Sequence, residues 1–253
     1  MTDIDSPDTV AGRIASMPTP ALLVFDCDGV LAPLVDHADD SVLHRGVGDL
    51  LARLATHDGV TVAVLSGRSL DGLAQFDFHT SIVVAGSYGG ERRGLGLAPL
   101  TLEEAKLLAR LDDIVVAAAD EAGVGAWVER KPTSVVVHVR EAEPERRRAA
   151  LELARTLSAD LDGHELHEGS DVVELMARPG DKGAGIDRLR AEFDAASVLY
   201  VGDDVPDEDA FARLVGPSDV GVKVGAGDTA AGLRLADPAA VHAMLTQLTS
   251  TTA

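Results

Sequence analysis

The sequence predicts an α/β protein: a Rossmann-like parallel-sheet core with a smaller α/β unit inserted into it. Three observations carry this reading. Short apolar runs, Ala21-Leu22-Leu23-Val24, Thr61-Val62-Ala63-Val64-Leu65 and Val198-Leu199-Tyr200-Val201, alternate with helical patterns, as right-handed βαβ units require. Each run ends in small or charged residues, and parallel sheets build their sites beyond the carboxyl ends of the strands. Between about 125 and 178 the pattern becomes strand, strand, helix, strand, strand, and the parallel pattern resumes at Lys182.

Residues 1 to 18 read as a loose leader closed by Pro18-Thr19-Pro20. The first strand follows and delivers Asp26 and Asp28, two residues apart, to its end. Leu43, Val47, Leu50, Leu51 and Leu54 recur at three and four, as one helix face does, and strands are expected at 61 to 65 and 81 to 85. Thr101 with Glu104 three residues on has the spacing of a capping box. Val135, Val137 and Val139 alternate with Val136, His138 and Arg140, giving a strand with one aliphatic and one mixed face. A helix opening near Pro144 carries Arg146, Arg147 and Arg148 as a solvated face. The core is therefore assigned to 19–108 and 181–253, and the inserted unit to 109–180.

Composition bounds the function. The 253 residues are long enough for two modest domains, and the formal net charge of −20 repels nucleic acid and anionic membranes. The longest apolar runs are too short to cross a bilayer, and the acidic start lacks a signal peptide's features, so a cytoplasmic location is expected. Cys27 is the single cysteine, which excludes an internal disulfide; alternation turns its side chain away from Asp26 and Asp28, as a small buried thiol. An anionic substrate drawn into so acidic a chain needs local cations: a metal, Lys182, Arg68 and Lys131.

Asp26 and Asp28 can face one site as the chain leaves the sheet, which suits a divalent cation and a carboxylate nucleophile. Three further elements follow in order: Ser66-Gly67-Arg68, Asp181-Lys182-Gly183, and Gly202-Asp203-Asp204-Val205-Pro206-Asp207-Glu208-Asp209. Together they resemble the haloacid dehalogenase superfamily of phosphohydrolases. A competing signal, Gly225-Ala226-Gly227-Asp228-Thr229-Ala230 after Val222-Lys223-Val224, has the form of a dinucleotide-binding turn. Fewer than 30 residues follow it, too few for the rest of that fold, so it is read as a pair of tight turns.

The narrower resemblance is to the trehalose-6-phosphate phosphatase family. It rests on Glu129-Arg130-Lys131-Pro132, His138-Val139-Arg140, Glu174, Pro179-Gly180-Asp181-Lys182-Gly183, the acidic loop through Phe211, and the tail Val222-Lys223-Val224-Gly225 with Ala230 and Asp237-Pro238. The resemblance implies a Mg²⁺-dependent phosphatase whose inserted unit is a cap closing over the site. It implies Asp26 as nucleophile, Asp28 as acid and base, and Ser66 and Lys182 as donors to the phosphoryl group. Gly67, Arg68 and Arg140 fall to substrate binding, as do Glu129, Lys131 and Glu174, which would hold the sugar ring remote from the phosphate. The metal would be held by Asp26, Asp203 and the backbone carbonyl of Asp28, with Asp204 and Asp207 orienting its waters.

Two departures from the family pattern stand out: Val30 where Thr is usual, and Gly86-Ser87-Tyr88-Gly89-Gly90-Glu91 where a His precedes the second Gly. They leave two alternatives to trehalose 6-phosphate hydrolysis. One is a related sugar or pseudo-disaccharide phosphate as substrate; the other is a sugar-phosphate-binding protein without turnover.

Overall fold

The computed structural model describes residues 3–35, 37–97, 99–169, 171–178 and 180–251. Its contacts divide into two units, Met1–Leu97 with Asp181–Ala253, and Ala98–Gly180.

The first unit is organised by Ala21–Phe25 (β1), apolar and buried at all five positions, as a strand covered on both faces must be. Helix α1 (Pro7–Ala15) precedes it; α2 (Val47–Leu54), β2 (Val60–Leu65), α3 (Leu70–Ala74), β3 (Val83–Gly86), β4 (Glu91–Arg92) and β5 (Gly96–Leu97) follow. After the second unit come α6 (Lys182–Glu192), β10 (Ser197–Gly202), α7 (Val205–Phe211), β11 (Val220–Val224), β12 (Leu233–Leu235) and α8 (Pro238–Thr251). The sheet order is β12-β11-β10-β1-β2-β3-β4-β5, parallel from β12 to β3 and closed by an antiparallel hairpin. The chain runs outward from β1 to β3 and returns to lay β10 on the other flank of β1. That reversal makes β1 and β10 a topological switch point, where such sheets bind ligands.

Two expectations change here. Residues 7 to 15 are helical, not a loose leader: Ser6 caps the helix by accepting from the Thr9 amide, Pro7 sits at its first turn, and Val10, Ala11 and Ile14 are buried in the core. Its buried stripe is only three residues, Val10, Ala11 and Ile14. The helix expected from Leu43 begins at Val47, because Gly46 is left-handed at φ 85°, while Leu43 packs on the core from outside it.

The second unit holds α4 (Leu102–Ala122), β6 (Trp127–Arg130), β7 (Ser134–His138), α5 (Pro144–Ser158), β8 (Glu165–Gly169) and β9 (Val172–Met176). The expected order of strands and helix is present, and the capping box at Thr101 and Glu104 opens α4. The expected boundary at 109 falls inside α4, which belongs wholly to this unit. Its antiparallel sheet runs β6-β7-β9-β8. Val135, Val137, Val173 and Leu175 pack with Leu111, Val115 and Ala118 of α4 and Ala150 and Ala154 of α5, so one face of the sheet is apolar and covered. Arg146 and Arg148 are exposed and Arg147 is half-buried. Among the described residues, no helix is long and apolar enough to cross a membrane.

Candidate active site

Adjacent parallel strands bring three sequence elements together. The register pairs β1 with β10 on one side and β2 on the other, so Asp26, Ser66 and Asp203 each emerge just past neighbouring strand ends. The Asp26 amide continues the ladder to the Val201 carbonyl at 2.9 Å. Lys182 enters from the first turn of α6, capped by Asp181.

Buried charge concentrates on Lys182. Its ammonium lies 2.9 Å from Asp26 Oδ2 and 2.5 Å from Asp207 Oδ1. Burial alone would lower the ammonium, but the two carboxylates outweigh it and the net shift is upward. Two carboxylates share one cation, and the balance differs between them. Asp207 is held below its ordinary range: burial opposes this, but Lys182 and the Asp204 amide prevail. Asp26 is pushed up to about 8, chiefly by burial, against the pull of Lys182.

Asp207 is saturated with donors. Its Oδ1 also accepts from the Tyr200 hydroxyl at 2.6 Å, and its Oδ2 accepts from the amides of Asp203 and Asp204 at 2.7 and 2.9 Å. Burial, then Asp207, raises the Tyr200 phenol, which keeps it a donor. Asp203 is different. Its Oδ1 is buried without a hydrogen-bond partner, and burial followed by the Asp207 charge pushes its carboxyl up to about 7. The Lys223 ammonium binds its backbone carbonyl at 2.6 Å. Gly29, at φ 73°, leaves the space in which Asp203 sits: a Cβ there would lie 2.0 Å from Asp203 Oδ2.

Ligand oxygens of Asp26, Asp203 and Asp207 lie within 4.8 Å of one another. An orphaned buried carboxylate oxygen, an excess of negative charge and an all-oxygen donor set fit a hard divalent cation. The expected set named Asp28 in place of Asp207. The Asp28 carboxylate is committed elsewhere, so only its backbone carbonyl remains for that role. Asp207, with four hydrogen bonds, is the positioning member of the cluster.

Arg68, expected among the substrate contacts, is bound to Asp28 in this structure. Its guanidinium forks onto Asp28, Nε to Oδ2 at 2.5 Å and Nη2 to Oδ1 at 2.7 Å, while Nη1 reaches the Ala38 carbonyl and the group lies over Phe76. The Ser41 hydroxyl adds 3.0 Å to Asp28 Oδ1. Ser66 is buried beside it, its Oγ accepting from the Arg68 amide at 3.2 Å. Cys27 is a buried thiol as expected, and burial followed by Asp28 raises its pKa, which keeps it inert. Asp204 caps α7 through the Val205 amide and does not join the carboxylate cluster.

Tyr88 is buried in the left-handed region at φ 56°, with its phenol packed over Gly67: a Cβ on Gly67 would lie 3.0 Å from the hydroxyl. Glu91 props this turn, accepting from Ser87 Oγ at 2.6 Å and the Leu70 amide at 3.1 Å. Val30 faces the main hydrophobic core.

In the second unit, Glu129 and Glu174 share the sheet face opposite the helices, both registered on Val136. Glu174 is buried, held by Ser134 Oγ at 2.5 Å and by Lys131 at 3.1 and 3.2 Å to its two oxygens. Lys131 is thereby paired with Glu174. His138 Nε2 lies 3.0 Å from Glu129 Oε2. Arg140 falls in the turn beyond β7, exposed, with a long 3.8 Å ion pair to Asp171.

Residues 24–239 match the model of the family described as Trehalose-phosphatase, and the chain is 30% identical to trehalose-6-phosphate phosphatase of Escherichia coli K12 over 89% of this chain and 85% of that one. The chain belongs to the trehalose-phosphatase family. Among solved structures, this family member's fold is similar to the C-terminal domain of Candida albicans trehalose-6-phosphate phosphatase, with a TM-score of 0.82 and 20% identity over 99% and 98% of the two chains. It is also similar, at TM-score 0.71 and 14% identity over 96% and 98%, to the C-terminal domain of the Candida albicans trehalose synthase regulatory protein. Similar folds thus occur in a trehalose-6-phosphate phosphatase and in a trehalose synthase regulatory protein, so the fold alone does not fix activity.

Sequence reasoning did not single out Tyr200, Glu91 or Trp127. A tyrosine inside a buried parallel strand, whose hydroxyl must find a partner, was the available signal for the first.

Proposed function

We propose that this chain is a Mg²⁺-dependent phosphatase that hydrolyses trehalose 6-phosphate to trehalose and phosphate. The observation that carries the reading is the pairing of Asp26 with Lys182 beside the orphaned oxygen of Asp203, in a chain of the trehalose-phosphatase family. Asp26, Asp203 and the Asp28 carbonyl would hold Mg²⁺, which would neutralise phosphoryl charge.

The chain's own groups do the rest. The Asp26 carboxylate attacks phosphorus, the bond from phosphorus to the sugar oxygen breaks, and Asp28, released from Arg68 and carrying a proton, gives that proton to the sugar oxygen. Asp28 then takes a proton from the water that cleaves the aspartyl phosphate, releasing phosphate and restoring Asp26. Asp207 and Tyr200 hold Lys182 in place; Lys182, Ser66 and the Gly67 amide donate to the phosphoryl oxygens. Glu129, Lys131, Glu174 and Arg140 are assigned to the sugar. Tyr88, where the family usually has His, favours one second reading: a related sugar phosphate as the preferred substrate.

The test is phosphate release from a panel of sugar phosphates with and without Mg²⁺. Trehalose 6-phosphate should be turned over fastest, and Asp26→Asn should lose at least about a thousandfold, a barrier increase of about 4 kcal/mol. Metal-independent turnover, or an Asp26→Asn variant with a tenth of the activity, would overturn the mechanism. Faster turnover of another sugar phosphate would select the second reading.

A further inference from the structure

Trp127 is the only tryptophan in the chain and it opens β6, the edge strand of the second unit's sheet. Register pairs it with His138 on β7, and the two rings stack nearly parallel, 5° apart with centroids at 3.7 Å. The His138 imidazole in turn binds Glu129, two residues along β6 and so on the same face as Trp127. The covered, apolar face of this sheet ends in α4 and α5. The Trp127 side is the other face, where an indole 43% exposed stands among Glu129, His138 and Glu174.

A large apolar ring left half exposed on a polar face asks for an explanation. Packing alone accounts for one side of the indole, which His138 covers. A pyranose ring has the complementary character: hydroxyls around its rim and an apolar C–H face, which the electron-rich face of an indole attracts. Carboxylates accept those rim hydroxyls and repel a phosphate, so the group recognised here is the uncharged ring.

We propose that Trp127 is a sugar-contacting residue, its indole face receiving the C–H face of a pyranose whose hydroxyls bind Glu129. This rests on the trehalose 6-phosphate reading and adds a specificity residue to it.

A single tryptophan makes the test direct. Unphosphorylated trehalose should change the emission of the wild-type protein saturably, while sorbitol, which has hydroxyls but no ring face, should not. Trp127→Leu should raise KM for trehalose 6-phosphate about fivefold to twentyfold, and Trp127→Phe, which keeps an aromatic face, should recover most of that loss. Phosphate release from trehalose 6-phosphate by the wild type separates the two levels of failure. If the wild type does not turn it over, the underlying reading is wrong. If it does, yet trehalose leaves the emission unmoved, or Trp127→Phe is as impaired as Trp127→Leu, the indole does not contact the sugar and this inference alone falls.

Discussion

Arg68 grips both carboxylate oxygens of Asp28, at 2.5 and 2.7 Å, through the two-pronged geometry that guanidinium alone provides. The residue assigned to move protons is thus oriented by a cation that the sequence suggested would bind substrate. In the proposed mechanism Asp28 would leave this fork as the protonated acid to reach a sugar oxygen, and Arg68 would set where it waits between steps.

Arg68→Lys keeps the charge but cannot form the fork. Steady-state kinetics should show kcat falling about tenfold or more with KM changed less, the pattern of a lost transition-state alignment. A KM increase at unchanged kcat would return Arg68 to the substrate contacts.

The orphaned Asp203 oxygen predicts a stability effect of metal in addition to a catalytic one. Under the proposed function Mg²⁺ should raise Tm, because it would bind the folded site and relieve the crowding of Asp26, Asp203 and Asp207. Chelator should remove the increment and abolish turnover, and Ca²⁺, with its larger shell, should not restore turnover. Asp203→Asn should lose most of the Mg²⁺-dependent shift; an undiminished shift would place the ion elsewhere.

Val30 stands where the family usually has Thr, and its side chain is fully buried in the main core beside Phe25 and Leu31. A hydroxyl placed there costs roughly 1–3 kcal/mol if it finds no partner. Val30→Thr should therefore lower stability in denaturant unfolding without raising kcat. A faster enzyme of equal stability would show that the hydroxyl reaches the nucleophile turn.

Arg178 hydrogen bonds, with the Thr101 amide, hold the Glu104 carboxyl down to about 2, from an ordinary 4.5. The sign follows from linkage. Between pH 4.5 and about 2 the unfolded chain binds the proton that the folded carboxylate refuses, so stability rises with pH across this window. The contribution is complete above it and gone below it. Tm measured from neutral pH down to pH 2.5 should fall more steeply for wild type than for Glu104→Gln, and parallel curves would remove this pair from the acid response.

Much of the core site was legible in the sequence because parallel strands place their ends side by side. Asp26, Ser66 and Asp203 each follow an apolar run, and the fold needs only to align those runs to assemble them. Lys182 was legible through the motif Asp181-Lys182-Gly183 and the family resemblance it carries, while the helix it opens and its Asp181 cap were seen only in the structure. Partner choice was not. Arg68 meets Asp28 past neighbouring strand ends of one sheet, and Lys131 meets Glu174 within the other sheet, and nothing in linear spacing says which of two acids a base will reach. The helix of residues 7 to 15 was missed for a different reason: three buried residues on two turns make a weak stripe, although Ser6 and Pro7 already marked its start.

The pair Lys131 and Glu174 decides how the sugar assignment should be tested. Glu174 is buried, and removing Lys131 strips its carboxylate of the ammonium that touches both oxygens. Losing the cation beside a buried carboxylate is costly, so Lys131→Ala should lower Tm as well as activity, and its kinetics alone say little about sugar. Glu129 is the cleaner probe, since Glu129→Gln is close in shape and keeps a group able to meet His138. Lost contacts to a distal ring matter only for a substrate that has one. Glu129→Gln should thus cut kcat/KM for trehalose 6-phosphate about tenfold, a loss of about 1.4 kcal/mol, and cut that for p-nitrophenyl phosphate far less. Equal losses on both esters, or a Tm as low as that of Lys131→Ala, would assign Glu129 to the sheet and not to the sugar.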